Sequence, residues 1–196
     1  LDLCRFSTNE NDDPISLSGY VEKMPEKQKD IYYISAETKD QALASPHLEG
    51  FKSKKIPVLI MTDAIDQFWL PMVGSFKEKK FTSITQGQIN LDDLDEKNKD
   101  KKKDDKNEKE KKDKEYVDLV AQLKVVLGDQ VKDIRLSSKL TDSPVCLVAD
   151  EGDMDIAMEQ LMAQRDTNYK GAPRILEING DHSLIKNMKS LLSKKE

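Results

Sequence analysis

Residues 28–61 read QKDIYYISAETKDQALASPHLEGFKSKKIPVLIM, and the fold class turns on this stretch. Ile31–Ile34 and Val58–Met61 are short, unbroken apolar runs rich in β-favouring residues, the pattern of strands buried on both faces. Residues 38–55 between them have helical composition but contain Pro46, which predicts two short helices instead of one long one. Strand, helices, strand in that order describes a right-handed crossover joining parallel strands. Working outward, Phe81–Ile84 supplies a third strand. Helices predicted over 15–30 and 64–76 complete an α/β/α layered block on a small parallel sheet.

The flanking helices carry their own signals. Ser16 is placed to cap the first, and Leu17, Tyr20, Val21 and Met24 repeat at helical spacing before Pro25 stops or kinks it. In the second, Ile65, Phe68, Trp69, Met72, Val73 and Phe76 form one continuous apolar face. Burial of Phe68 and Trp69 in the core is the default reading, and a partly exposed binding patch is the alternative. Pro71 predicts a kink that could tip Trp69 and Met72 away from the sheet. Asp63 and Asp66 fall in the first turn. Two carboxylates there suit capping and the positive end of the helix dipole. An α/β phosphoryl-transfer or hydrolytic enzyme would use the same pair as magnesium ligands, although no Gly-rich phosphate cradle accompanies them.

From Asp92 to Glu115 nearly every residue is Asp, Glu or Lys. Acids stacked at i, i+4 repel, some i, i+3 pairs offset this, and there is almost nothing apolar to bury. Residues 91–115 therefore read as a charged linker, disordered or a solvated helix. Outside it, charge falls to roughly the quarter of residues typical of soluble domains.

Order resumes at Tyr116, which with Leu119, Val120, Leu123 and Leu127 marks a helix ending at Gly128. Ile134 and Leu136 alternate with charged neighbours, a half-buried strand. Val145–Ala149 is a second strand, burying Cys146 as a small hydrophobe. A helix is predicted from Asp153 to Gln164, a strand over Arg174–Ile178, and a turn at Asn179–Gly180. Asp181 is expected to cap a last helix with Leu184, Ile185, Met188, Leu191 and Leu192 on one face. The chain as a whole reads as α/β, the layered block of residues 1–90 joined by the linker to a small α+β block over 116–196. On the 153–164 helix, Met154, Met158 and Met162 recur every four residues and Leu161 extends the stripe. Methionine faces adapt to varied apolar partners, and they also pack ordinary cores.

Several classes are disfavoured. The longest apolar runs fall far short of the roughly 20 residues of a membrane helix, and no signal peptide is evident. Cys4 and Cys146 have no paired spacing for a disulfide framework or zinc site. The net charge of −5, with lysines alternating with acids, argues against nucleic acid. His47 and His182 are the only histidines, which disfavours nucleophilic triads; His182 belongs to the turn and helix start. The opening residue, Leu1, suggests a piece of a longer protein.

Long strings in series carry a resemblance. LCRFST, SLSGYVEKM, QKDIYYIS, ASPHLEGFKSKKIPVLIM and TDAIDQFW, then LGDQVKDIRLSSKLTDSPVCLV and ILEINGDHSLIKNMK, resemble the heat-shock protein 90 family of chaperones in its bacterial HtpG type, from end to end of the chain. The resemblance implies that residues 1–90 are the last α/β/α part of the middle segment and that 116–196 begin the C-terminal segment. It implies an ATP-driven, homodimeric, cytoplasmic chaperone of partly folded clients. ATP and magnesium would be bound by a domain not present here, so this piece is expected to be no enzyme and to need no cofactor. Dimerisation helices would follow its end. The family's client-contacting positions carry over onto Gln67, Phe68, Trp69, Met154, Met158, Leu161 and Met162. Gly180 stands where the family commonly has proline, and the linker is longer and more charged than in many bacterial relatives.

Overall fold

The computed structural model describes residues 3–10, 13–94, 112–166, 169 and 171–192. The central part of the charged linker, and with it the expectation about its order, lies outside the described residues.

The first sheet is built from β1 (Ser7–Thr8), β2 (Ile31–Ser35), β3 (Leu59–Met61), β4 (Ser75–Phe76) and β5 (Lys79–Ser83), in the order β1-β3-β2-β5-β4. The expected parallel arrangement holds for the three central strands: β2 pairs parallel with both β3 and β5. The edges correct it, because β1 and β4 are antiparallel to their neighbours. Each edge strand is two residues long, too short to carry a periodic signal. The β4–β5 turn is also unannounced: Lys77 and Glu78 sit at φ 47° and 63°, the left-handed conformation that two-residue hairpin turns usually give to Asn-Gly.

Side-chain alternation sends the buried strands' residues to two cores. Tyr32, Ile34, Val58, Ile60 and Ile84 face α2 (Lys39–Leu43), α3 (Glu49–Ser53) and the helical turn Pro46–Leu48 between them. Pro46 opens that turn after Ser45 caps it, so the predicted interruption falls where the ring removes a backbone donor. Ile31, Tyr33, Leu59, Met61 and Phe81 face α1 (Leu17–Lys23) and α4 (Asp66–Val73). Ser16 caps α1 as expected, accepting from Gly19 N at 3.1 Å. The buried Tyr20 hydroxyl donates to Pro57 O at 2.6 Å and accepts from Gln28 and from Tyr32 N, fixing α1 against two strands.

The second sheet has β6 (Val131–Leu136), β7 (Val145–Val148) and β8 (Arg174–Ile178) in the order β6-β8-β7, with β6 parallel and β7 antiparallel to β8. One face carries Ile134, Leu136, Leu176 and Ile178 against α5 (Val117–Leu127) and α7 (Ser183–Leu192). Gly128 follows α5 at φ 50°, the left-handed stop read from the sequence. Two helix starts are corrected. α6 (Ile156–Arg165) begins three residues after the expected Asp153, with Asp155 as its cap. At α7 the His182 ring accepts from Leu184 N at 3.1 Å, while Asp181 pairs with Lys112.

The strand of Ile134 and Leu136 is half-buried as read, with Lys132 exposed. Part of the sheet's other face is nevertheless covered by the first block: Cys146 and Glu177 are buried there, and Arg135 donates to Gly87 O at 2.6 Å. Backbone bonds cross between the blocks: Ala149 N donates to Thr85 O at 2.9 Å and Gly87 N to Ala149 O at 2.8 Å. α3 meets the 137–140 loop so closely that a Cβ on Gly50 would lie 2.6 Å from Lys139 O. Only glycine permits that approach.

Candidate functional site

α4 shows how far apolar periodicity can mislead. Leu70 and Asp66 point inward, whereas Ile65, Phe68, Met72 and Val73 are exposed, Met72 by 86 % and Phe68 by 38 %. Gly74 ends the helix at φ 67°, so Phe76 belongs to β4 instead of the helical face. Trp69 remains core-side, its ring edge-on to Phe81 at 5.6 Å and tilted against Phe6 at 6.2 Å. Its indole N–H donates to Asp66 Oδ1 at 2.7 Å. Of the two side chains that a kink at Pro71 was expected to tip outward, Met72 faces solvent and Trp69 does not.

Asp66 is thereby occupied. Its Oδ2 accepts from Asp63 N at 3.2 Å, closing the turn that starts α4, and the carboxylate is buried. Among the described residues, no group of three His, Cys, Asp or Glu side chains is placed to hold a metal ion. The enzyme reading of Asp63 and Asp66 is not favoured.

In the second block the methionine stripe divides. Met154 precedes α6 and is exposed; Met158, Leu161 and Met162 lie on α6, half-buried, outside the three hydrophobic clusters. Glu159, which sequence reasoning missed, is buried beside them. It pairs with Arg174 and accepts from Ala172 N at 2.5 Å and Tyr169 Oη at 3.4 Å, holding the loop before β8. Its signal was an acid set among the apolar positions of a short helix.

Asp155 fixes where α6 lies. One carboxylate oxygen caps Ala157 N at 2.9 Å, and the other accepts from Ser83 Oγ at 2.5 Å and Thr85 Oγ1 at 2.8 Å. This ties the helix start to the end of β5. α6 consequently passes over the C-terminal ends of β2 and β3, the edge at which open α/β sheets bind ligands. Beneath it lie two contiguous clefts of about 520 and 180 Å³. The smaller brings Gln67 and Leu161 together; Phe68, Trp69, Met154, Met158 and Met162 are not part of either lining.

Between the blocks sits a closed charge cluster. Glu177 accepts from Arg135 at 2.7 Å and Ser137 Oγ at 2.9 Å, and Lys139 Nζ donates to Ile84 O at 3.1 Å. Cys146 Sγ lies 3.9 Å from Glu177 Oε2. Burial first, then the Glu177 charge, pushes its thiol up to about 12, so Cys146 is an inert packing residue as expected. His47, buried nearby, is pushed down to about 4 by desolvation and by Lys139.

The sequence model of the family described as "Hsp90 protein" matches residues 1–196. The chain belongs to the heat-shock protein 90 family. Among its relatives, a "Chaperone protein HtpG" of Roseobacter denitrificans is 43 % identical over 185 residues, covering 94 % of this chain and 29 % of the relative. Proteins of the same name from Streptomyces coelicolor and Wolbachia pipientis are 39 % and 38 % identical, each covering 96 % of this chain. The chain thus spans about 29 % of the length of these heat-shock protein 90 relatives. Among the described residues no helix is long and apolar enough to cross a membrane.

Proposed function

We propose that this chain is a client-contacting portion of an ATP-driven chaperone, uniting the end of a middle segment (1–90), a charged linker (91–115) and the start of a C-terminal segment (116–196). The observation that carries this reading is the unburied apolar side of α4, with Ile65, Phe68, Met72 and Val73 open to solvent. Met154 and the half-buried Met158, Leu161 and Met162 add a second surface near α6. Burying such groups is worth roughly 25 cal/mol per Å² and is non-directional, which suits partners of no fixed sequence. Trp69 supports the α4 surface from below, and Gln67 lies at its margin. In the whole protein, ATP and magnesium would be handled elsewhere, and self-association and a cytoplasmic location are part of the same proposal.

The test is titration of this chain with a permanently unfolded, fluorescently labelled protein. Saturable, salt-insensitive binding is expected, with no binding of ATP by the chain. Phe68→Ser combined with Met72→Ser should weaken affinity about tenfold, and Met154→Ser combined with Met158→Ser should weaken it as well. Affinity unchanged in both pairs would remove the apolar surfaces from the reading.

A further inference from the structure

Asn179 is followed by Gly180, the dipeptide in which an asparagine amide is most open to attack by its own backbone. Glycine has no Cβ to shield its nitrogen and reaches the required backbone angles freely. This fold places the pair at a joint. Asn179 follows β8, is only 4 % exposed, and donates from Nδ2 to Thr141 O at 3.3 Å and Ser143 O at 3.1 Å. Its Oδ1 accepts from Asp181 N at 3.0 Å, and its N–H donates to Pro144 O at 2.8 Å. The same 141–143 loop is held from the first block by Glu49, whose carboxylate accepts from the N–H groups of Thr141, Asp142 and Ser143. Asn179 therefore takes the loop's carbonyls, and Glu49 takes its N–H groups.

We propose that Asn179 is a site of spontaneous intramolecular deamidation, guarded while the 141–143 loop stays docked on the first block and open to reaction when the loop detaches. The co-reactant is water. The Gly180 nitrogen loses its proton to solvent and attacks Asn179 Cγ. The new C–N bond closes a five-membered imide, and the Cγ–Nδ2 bond breaks, Nδ2 taking up a proton and leaving as ammonia. Water then opens the imide at either carbonyl, which leaves aspartate or isoaspartate at 179. Attack requires Cγ to swing onto the Gly180 nitrogen and Nδ2 to gain a proton as it departs. An amide pinned at both ends and buried does neither.

The product does not fit back. A carboxylate offers acceptors only: one oxygen keeps Asp181 N, and the other meets the carbonyl oxygens of Thr141 and Ser143, a buried charge without a donor. Isoaspartate also lengthens the main chain by one carbon, out of register with Pro144 O. An opening of the joint that lasts long enough for reaction is thus recorded as a permanent weakening of it, whether or not a client is bound.

The test incubates the whole 196-residue chain and follows Asn179 by mass spectrometry as replacement of NH2 by OH, with a synthetic peptide of residues 176–183 as the unfolded reference. The native chain should react at least tenfold more slowly than the peptide, and the chain unfolded in urea should match the peptide. Glu49→Ala, shown to be folded by its melting curve, should react at least threefold faster than the native chain. Should it not fold, the native chain in urea below its unfolding transition takes its place. Gly180→Pro, which has no N–H to attack with, should not react in any state. Asn179→Asp, one of the two products, should unfold at lower urea and speed amide exchange at 141–143. Asn187→Asp, the same charge change at an exposed position of α7, should do neither. A native rate equal to the peptide's would overturn the proposal, as would an unchanged rate in a chain whose 141–143 amides exchange faster. Native stability and native protection of 141–143 in Asn179→Asp would overturn it too.

Discussion

Lys139 and Glu177 face each other at 3.6 Å with 1 % and 3 % of their side chains exposed, an ion pair sealed between the two sheets. Burial lowers the lysine's pKa and the Glu177 carboxylate pulls it back up. Such pairs contribute little net stability when intact, because desolvation offsets attraction, but breaking one leaves an uncompensated charge inside.

The two partners are not equivalent. Among the described residues Glu177 keeps Arg135 and Ser137 when Lys139 is lost, whereas Lys139 is left with the Ile84 carbonyl and no opposite charge at hydrogen-bond range when the Glu177 charge is lost. Glu177→Gln should destabilise by about 3 kcal/mol in urea unfolding, and Lys139→Met by clearly less. Equal costs would refute the asymmetry.

Glu49 makes a second interblock anchor. Its carboxylate accepts from the backbone N–H groups of Thr141 and Asp142 at 2.8 Å and from Ser143 N at 3.1 Å, and the Ser143 hydroxyl joins them. Glu49→Ala should cost about 2 kcal/mol, the scale for hydrogen bonds to a charged group. It should also raise amide exchange at 141–143 more than within β6. Protection unchanged at those amides would refute the anchor.

Acid should weaken the fold through two groups acting in the same direction. His47 is held neutral, its folded pKa lowered to about 4 from 6.5, chiefly by desolvation. Its contribution is complete above pH 6.5 and is lost as pH falls toward 4, by at most about 3 kcal/mol. For Glu49, burial alone would raise the pKa, but the hydrogen bonds from 141–143 outweigh it and lower the value. That contribution is present above the ordinary carboxylate range and is lost as pH falls through the lowered value. Stability measured from pH 7 to 4 should fall in the native chain and fall less in His47→Gln; identical slopes would exclude His47.

The β4–β5 turn holds two side-chain-bearing residues in the left-handed region, each at a cost of about 1 kcal/mol. Glu78→Gly, or Lys77→Asn with Glu78→Gly, should raise stability by about 1 kcal/mol. A loss of stability would show that the turn is not strained in this way.

Legibility followed locality. Ile31–Ile34, Val58–Met61 and the Pro46 interruption were readable because apolar runs and proline act on their own segment. Ser16 and Gly128 were readable for the same reason. The edge strands were not, being two residues long and joined by a Lys-Glu turn. Nor was the direction in which α4 turns: Ile65, Phe68 and Met72 repeat as a core face would, yet Leu70, Trp69 and the buried Asp66 take the inner side. Among the candidate client-contacting residues, sequence singled out Phe68 together with Trp69, with Gln67 beside them, and the methionine stripe with Leu161. It could not divide Met154 from Met158, because that depends on Asp155 capping α6 through bonds that also reach Ser83 and Thr85.

By itself the order of residues determined a layered α/β block, a charged connector and a second small sheet with helices, since propensity, periodicity and capping operate over a few neighbours. Tertiary structure alone decided that Arg135, Lys139 and Glu177 would be enclosed together, that α6 would bridge the ends of β2 and β3, and that α4 would keep an oily side wet. The first two outcomes join residues far apart in the chain, as Lys139 and Glu177 or Ser35 and Ala157, and a group's cost or benefit there is set by what the other block brings against it.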